Sequence, residues 1–222
     1  MSCSTKIEEC IELLEKDYGV PKSSKVDPVD LLISTILSQN TTDVNCLRAF
    51  GRLKSAYPEW ESILNAPEED IAEKIRVGGL AGIKAGRIKA VLSKIKEDAG
   101  SVDLGFLKDL APGDARDYLI SMPGIGPKTA AVVLLFAFGK PLMPVDTHVF
   151  RVSKRIGLVP EGASIEETER VLEECTPQEK YLSLHLNLIR HGRRICRARS
   201  PLHDQCSLKG ICDFYKSIAK LK

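Results

Sequence analysis

Apolar residues recur every three or four positions along most of the chain, which is the spacing of one face of an α-helix. Two clear series are Ile7, Cys10, Ile11 and Leu14, and Ile88, Val91, Leu92 and Ile95. Runs in which apolar and polar residues alternate, as in half-buried strands, are almost absent. The pattern therefore predicts an all-α protein.

Signals for helix starts support this prediction. Asp27 before Pro28 predicts an N-cap followed by a proline in the first turn. Ser164 and Thr176 are each followed three residues later by a glutamate, which is the pattern of a capping box. The start signals and the periodicity together predict about ten helices joined by short loops.

The composition is that of a folded globular protein. The chain has 222 residues, of which 43 % are hydrophobic and 28 % are charged, so a disordered or fibrous chain is excluded. Its longest apolar run, 130–138, is shorter than the roughly 18 residues that a membrane-spanning helix needs. The formal net charge is only +2, so the overall charge does not by itself indicate a nucleic-acid partner.

The polar N-terminal segment lacks the features of a signal peptide, so we expect a cytoplasmic protein in a reducing compartment. Disulfides are rare there, and the odd number of cysteines, seven, points to metal ligation or packing. Cys3, Cys10, Cys46 and Cys175 are scattered, mostly within helical apolar patterns, and are predicted to be packing residues.

The segment 117–135 predicts two helices joined by a tight turn. The first helix ends near Met122, Pro123 to Gly126 form the turn, and Pro127 begins the second helix. We expect Gly124 and Gly126 to adopt positive φ and to let another molecule approach closely. The free N–H groups of the second helix can then bind a backbone phosphate. The alternative is a compact turn between packed helices.

Two charged residues follow this turn. Lys128 lies in the first turn of the second helix, where the helix dipole disfavours a cation, and a neutral amine is the form that attacks a sugar carbon. Asp146 is the predicted N-cap of a later helix, where the capped N–H groups favour its anionic form. Such a carboxylate could stabilise positive charge at C1′ or accept a proton from the amine. The alternatives are a phosphate-contacting lysine and a simple cap.

The C-terminal tail carries a candidate metal site. Three thiols and one imidazole lie within 17 residues in the pattern C-x6-H-x2-C-x5-C, formed by Cys196, His203, Cys206 and Cys212. Five arginines lie between residues 190 and 199 with no acidic residue among them. Of these, Arg197 and Arg199 lie between the first two predicted ligands and are candidates for binding phosphates.

Four segments carry a family resemblance. They are Leu-Ser-Gln-Asn-Thr-Thr-Asp at 37–43, Met-Pro-Gly-Ile-Gly-Pro-Lys-Thr-Ala at 122–130, Val-Asp-Thr-His-Val-Phe-Arg-Val at 145–152, and the cysteine-rich tail. In order and spacing, over nearly the whole chain, they resemble the endonuclease III family of helix-hairpin-helix DNA glycosylases. The resemblance implies a two-lobed fold with a C-terminal metal-cluster loop. It also implies a six-helix domain over 25–137 with the hairpin, and a second domain from 1–24 plus 138–222 with the cluster.

The resemblance also implies roles for individual residues. Lys128 resembles the lysine that forms a Schiff base with the sugar, and Asp146 resembles the catalytic aspartate. Gln39 and Asn40 lie where that family inserts a wedge into DNA, and the segment Leu80 to Lys84, with Leu80 and Ile83, is the expected second wedge. Helix capping or loop hydrogen bonding is the alternative for Asn40. His148 is expected to line the pocket, with packing as the alternative.

In the same family, four cysteines in the pattern C-x6-C-x2-C-x5-C hold a [4Fe-4S] cluster. This chain has His203 in place of the second cysteine. A cluster bound by Cys196, His203, Cys206 and Cys212 is our first expectation, because histidine replaces cysteine at iron in some clusters. A Cys3His zinc site and the loss of any metal are the alternatives.

These observations predict a bifunctional DNA glycosylase and AP lyase of base excision repair that removes damaged, oxidised pyrimidines. We expect a monomer that acts at the nucleoid on double-stranded DNA with damaged bases or abasic sites. A monofunctional uracil or thymine mismatch glycosylase is the alternative within the class, although it would need no amine at position 128. A non-catalytic DNA-binding or redox-sensing module is the alternative from another class.

Overall fold

The structure is a computed structural model that describes residues 3–22 and 25–219, except for the side chain of Cys3. The described residues are all-helical, without a strand, which confirms the predicted fold class. The α-helices are α1 (Cys3–Tyr18), α2 (Pro28–Ser38), α3 (Asp43–Ala56), α4 (Glu61–Leu64), α5 (Glu68–Ile75), α6 (Ala81–Ala99), α7 (Pro112–Ile120), α8 (Pro127–Phe138), α9 (Thr147–Ile156), α10 (Ile165–Cys175), α11 (Tyr181–Arg194) and α12 (Asp213–Ala219). Five short 3-10 turns lie between them. None of the helices in the described ranges is long and apolar enough to cross a membrane.

Of the helix starts predicted at Asp27, Ser164 and Thr176, the first two are confirmed. The Asp27 carboxylate accepts a hydrogen bond from the backbone N–H of Asp30 at 2.8 Å, and Ser164 caps α10 by accepting one from Glu167 N–H at 3.1 Å. The prediction of a capping box at Thr176 is wrong. Thr176 instead ends α10, and a 3-10 turn over 178–180 precedes α11, so the helix start lies five residues later.

The chain divides into two units, Lys25–Lys140 and Met1–Ser24 with Pro141–Lys222. In the first unit, α2 packs against α3 and α8, and α5 packs against α6. Fully buried aliphatic side chains fill the space between these helices, among them Leu32, Ile36, Leu53, Ile71 and Ile88. This unit holds α2 to α8 of the described helices, one more than the six expected from the sequence.

In the second unit, α11 is the central helix because it packs against both α1 and α9. The Glu15 carboxylate of α1 accepts two hydrogen bonds from the Lys180 ammonium, at 3.0 and 2.9 Å, and one from the Ser183 hydroxyl at 2.7 Å. Burial alone would raise the pKa of Glu15, but these bonds outweigh it and hold the pKa below its ordinary value. The start of α11 is thus fixed to α1.

Candidate active site and metal centre

The turn between α7 and α8 is open at Gly126, whereas the Arg87 side chain covers Gly124. Gly124 adopts φ +77°, as predicted, whereas Gly126 has φ −101° and so does not need the freedom of glycine for its backbone. The prediction of positive φ at Gly126 is wrong because Gly126 is the extended N-cap residue of α8. A Cβ placed on Gly126 would have no atom of the described chain within 4 Å, so another molecule has room to approach.

Lys128 lies in the first turn of α8 and is exposed. Among the described side chains, none caps the start of this helix. The first N–H groups of α8 therefore keep their hydrogen-bonding capacity for an anion beside Lys128. The buried Ile125 anchors the turn below, with 5 % of its surface exposed. An anion-binding helix start and an accessible amine thus lie next to each other.

Asp146 is the N-cap of α9, as predicted. One carboxylate oxygen, Oδ1, accepts hydrogen bonds from the N–H groups of His148 and Val149, both at 2.8 Å. Val149 is buried, which anchors the helix start, whereas Asp146 itself is only half-buried. The second carboxylate oxygen is therefore available for a further partner.

His148 packs within its own unit. Its Nδ1 lies 3.1 Å from Arg151 Nη2, and a Cβ added to Gly192 of α11 would lie 3.0 Å from His148 Cβ. Burial lowers the pKa of His148 and outweighs the opposing effect of Asp146, and the cations Arg151 and Arg193 add to the lowering. These contacts account for His148 as a packed residue, and its role in a pocket stays a prediction.

The two wedge candidates after α2 differ in their environment. The Gln39 side chain donates from Nε2 to the Gly124 carbonyl at 3.2 Å and accepts at Oε1 from Arg87 Nη1 at 2.9 Å. Asn40 is exposed and has φ +53°, a left-handed conformation that few residues other than glycine adopt. The amide of Gln39 is already engaged within the unit, whereas Asn40 faces solvent.

The second predicted wedge needs one correction. Leu80 and Ile83 are exposed by 51 % and 57 %, and Leu80 has φ +51°. Lys84, however, is only 1 % exposed, and α6 begins at Ala81, so most of the segment is helix and Lys84 lies in the core. The exposed apolar surface is therefore confined to the first turn of α6 and the residue before it.

Lys84 joins two segments that end in left-handed residues. Its ammonium donates to the Leu37 carbonyl at 2.8 Å and to the Gly78 carbonyl at 2.9 Å. Burial lowers the pKa of Lys84, but the partial negative charge of carbonyls at the end of α2 favours a cation there. The sequence did not indicate this role, because only its helical position, on the buried face of α6, distinguishes Lys84 from neighbouring lysines.

Replacing Lys84 with methionine is expected to lower the free energy of unfolding by about 3 kcal/mol, because two buried carbonyls lose their donor while the side-chain volume is kept. Urea denaturation measures this loss. Lys89→Met is the matched control, since Lys89 lies five residues further along α6 and donates to one carbonyl only, that of Ala66 at 2.8 Å. Its loss should be about 1 kcal/mol. Equal losses in the two variants would contradict the stabilising role of the two hydrogen bonds from Lys84.

The four predicted metal ligands line one small cavity, about 20 Å³ in volume. Cys212 is buried, and Cys196, His203 and Cys206 are half-buried. Burial raises the pKa of the Cys206 and Cys212 thiols. No three Cys, His, Asp or Glu side chains in the described ranges are grouped closely enough to hold a single ion. The donor types fit a metal centre, whereas the cavity as described is a thiol-lined pocket not shaped around one.

The structure adds His191 to this cavity. Its Nε2 lies 3.6 Å from Cys206 Sγ, its Nδ1 lies 3.2 Å from the Tyr18 hydroxyl, and it is 1 % exposed. Burial lowers the pKa of His191 to about 4, so the neutral ring can accept from Tyr18 and direct its other N–H toward the sulfur. His203 instead stacks on the ring of Phe214 and lies at a tilt against that of Tyr215. The only sequence signal for His191 is its position five residues before Cys196.

The loop after Cys196 presents two exposed cations, Arg197 and Arg199. Arg155 of α9 supports this loop, because its guanidinium donates to the carbonyls of Arg197 at 2.6 Å and Ala198 at 3.0 Å. The backbone carbonyls thus face Arg155, while both arginine side chains are exposed and that of Arg197 donates from Nε to the Arg194 carbonyl at 3.2 Å. This arrangement suits contact with phosphates.

The remaining cysteines divide into two groups. Cys10 and Cys46 are buried thiols, as predicted, and burial raises the pKa of Cys10 to about 12. Cys175 is disulfide-bonded, so the prediction of a packing thiol is wrong at that position. The prediction for the Cys3 side chain lies outside the described part of the structure.

Comparisons with known sequences identify the family to which the chain belongs. Residues 33–178 match the model of the HhH-GPD superfamily of base excision DNA repair proteins. Endonuclease III of Thermotoga maritima is 35 % identical over 215 residues, covering 96 % of this chain and 95 % of the relative. Endonuclease III of Bacillus subtilis is 37 % identical, covering 93 % and 91 %.

Solved structures of DNA glycosylases are similar to this chain over nearly its whole length. An endonuclease III trapped as a covalent intermediate with DNA has a TM-score of 0.84 and 32 % identity, covering 99 % of this chain and 100 % of that one. A thermostable thymine-DNA glycosylase, at 23 % identity and a TM-score of 0.78, covering 96 % and 98 %, shares the fold.

Proposed function

The chain belongs to the HhH-GPD superfamily of base excision DNA repair proteins, and from this premise we propose that it is a bifunctional DNA glycosylase and AP lyase. The observation that carries the proposal is the exposed amine of Lys128 beside the uncapped start of α8. A phosphate bound at the helix start would place a deoxyribose within reach of a nucleophile. The proposed substrates are oxidised pyrimidines in double-stranded DNA, and the proposed setting is the nucleoid.

In the proposed reaction, the lone pair of the Lys128 amine forms a bond to C1′ of the flipped nucleotide. The glycosidic C–N bond breaks, and the base leaves with the electron pair and takes up a proton. Opening of the sugar ring converts the adduct into an imine. Loss of a C2′ proton then breaks the C3′–O bond and expels the 3′ phosphate, and water finally releases the lysine.

Asp146 is proposed to act through its charge. Positive charge develops on the sugar as the glycosidic bond breaks, and a fixed carboxylate stabilises it. Its two hydrogen bonds to backbone N–H groups hold the carboxylate in one orientation, so no reorientation is needed during the reaction.

For base extrusion we propose that Asn40 and Leu80 insert into the duplex. Both are exposed, and both are held at positive φ. Asn40 is favoured over Gln39 because Gln39 already uses both ends of its amide within the unit. Filling the space of the flipped base offsets the few kcal/mol that extrusion costs.

A panel of duplexes separates this proposal from a monofunctional mismatch glycosylase. Duplexes carrying thymine glycol, uracil opposite guanine, thymine opposite guanine, or an abasic site are each incubated with the protein, with and without borohydride. The proposal expects release of the oxidised base, strand scission, and a trapped complex. Base release without scission or trapping would contradict the lyase and favour the monofunctional enzyme.

We further infer that Cys196, His203, Cys206 and Cys212 hold a metal centre, with a [4Fe-4S] cluster as first choice and zinc as the alternative. Support comes from their common cavity and from donor types that suit iron or zinc. When bound, the centre would hold the tail that presents Arg197 and Arg199.

Cys206→Ser is expected to release most of the bound metal, measured as loss of absorption near 400 nm and of iron and sulfide, or of zinc. Cys46→Ser is the matched control, because Cys46 is a buried thiol of the other unit. His203→Cys, which restores the four-cysteine pattern of the family, should increase cluster retention. Purified protein without iron and zinc would contradict the metal centre.

A further inference from the structure

Gln39 connects three elements of one unit. Its side-chain amide lies between the Gly124 carbonyl of the turn and the Arg87 guanidinium of α6, at 3.2 and 2.9 Å. The residue itself is the C-cap of α2. Because both ends of the amide are bonded, the position of Gln39 is determined jointly by the turn and by α6.

Arg87 contacts the turn as well as Gln39. A Cβ added to Gly124 would lie 2.6 Å from Arg87 Cδ and 2.7 Å from Arg87 Nε, so the arginine stem lies flat against this glycine. Gly124 also has φ +77°, a backbone conformation that favours glycine. Arg87 thus fills the space beside Gly124, and its guanidinium donates to Gln39 in the loop after α2.

Asn40 depends on this support. Asn40 has φ +53°, a left-handed conformation that asparagine adopts more readily than most other non-glycine residues. Gln39, which precedes it, is tied to Arg87 and Gly124, and Leu37, which lies three residues before it, is tied to Lys84. The backbone that leads into Asn40 is therefore held by contacts on its N-terminal side.

We propose that Arg87 is a positioning residue. Through Gln39 it ties the loop that bears Asn40 to the turn between α7 and α8, which in the proposed function binds a DNA phosphate. When this turn binds a phosphate of the DNA backbone, Asn40 is brought to a defined position relative to the stacked bases. Without Arg87 the loop has more conformations available, and the fraction ready to insert falls. The inference rests on the proposed function in that DNA is the ligand and Asn40 is the wedge.

Extrusion can be measured apart from chemistry. In the Lys128→Gln background, a 2-aminopurine placed beside the target base reports base flipping by its fluorescence. Arg87→Met is expected to lower the extruded fraction about tenfold. Affinity for a duplex with a tetrahydrofuran abasic analogue, which needs no extrusion, should change less than about twofold. Arg52→Met, the loss of an exposed arginine of α3, is the control and should change neither value.

A double-mutant cycle tests whether Arg87 acts through Gln39. Gln39→Met and Arg87→Met together should lower extrusion no more than the stronger single change. Multiplied effects, or an equal loss on the tetrahydrofuran duplex, would overturn the inference and make Arg87 a plain phosphate contact. Absence of fluorescence gain in the Lys128→Gln protein would also overturn it. Failure of borohydride trapping in the parent protein, with extrusion intact, would instead overturn the proposed lyase.

Discussion

Lys128→Gln is expected to abolish the borohydride-trapped complex with abasic duplex DNA and to lower strand scission about a thousandfold or more. The amide of glutamine is not a nucleophile, so the bond to C1′ cannot form. Because Lys128 is exposed, the substitution should leave the thermal midpoint unchanged. The measurement is a single-turnover scission assay alongside denaturing-gel detection of the trapped complex.

The matched control for Lys128 is Lys96→Gln, the same change at an exposed lysine of α6 in the same unit. This variant should trap as efficiently as the parent protein. A Lys128→Gln protein that still forms the trapped complex would show that another amine attacks the sugar. The proposal that α8 positions the nucleophile would then be wrong.

Asp146→Asn is expected to slow release of an oxidised base by about a hundredfold or more, because the charge that stabilises the sugar cation is lost. Asparagine caps helices about as well as aspartate, so the two bonds to His148 and Val149 can be kept. Loss of the favourable dipole interaction should cost less than about 1 kcal/mol of stability. Trapping at preformed abasic sites should fall less, since no glycosidic bond breaks there.

Asp27→Asn provides the comparison for Asp146. Asp27 is also an N-cap aspartate, at the start of α2, and its carboxylate likewise accepts from a backbone N–H. The two variants should lose similar stability, whereas only Asp146→Asn should lose rate. If single-turnover base release were the same in both variants, Asp146 would be a cap and nothing more.

Local patterns predicted much of the fold because they depend on residues close in sequence. The caps at Asp27, Ser164 and Asp146 each involve a backbone N–H two or three residues away. At Thr176 the local pattern predicted a helix start that the structure does not have. A proline and a glutamate in the right register did not begin a helix, because α10 continues to Cys175 and places Thr176 at its end.

The candidate site was predictable where a motif carried it and not where packing decided it. Lys128 and Asp146 follow from the turn and the cap that precede their helices. Lys84 was expected at a DNA-facing wedge, yet it is the largest fully buried side chain of the described residues. Carbonyls around its ammonium stabilise a lysine there, and one of them, that of Leu37, lies 47 residues away.

The sequence by itself therefore determined the helical class, the turn before α8, the position of Lys128 in the first turn of α8 and the cap at Asp146, since each rests on neighbours within a few residues. Tertiary structure alone decided that Gln39 is engaged while Asn40 is exposed, because Gln39 and its partner Gly124 are 85 residues apart. It also decided that His191 joins the thiol-lined cavity, through contacts with Tyr18 and Cys206 on different segments. Periodicity marks the face of a helix that is buried, but it does not show which distant segment packs against that face.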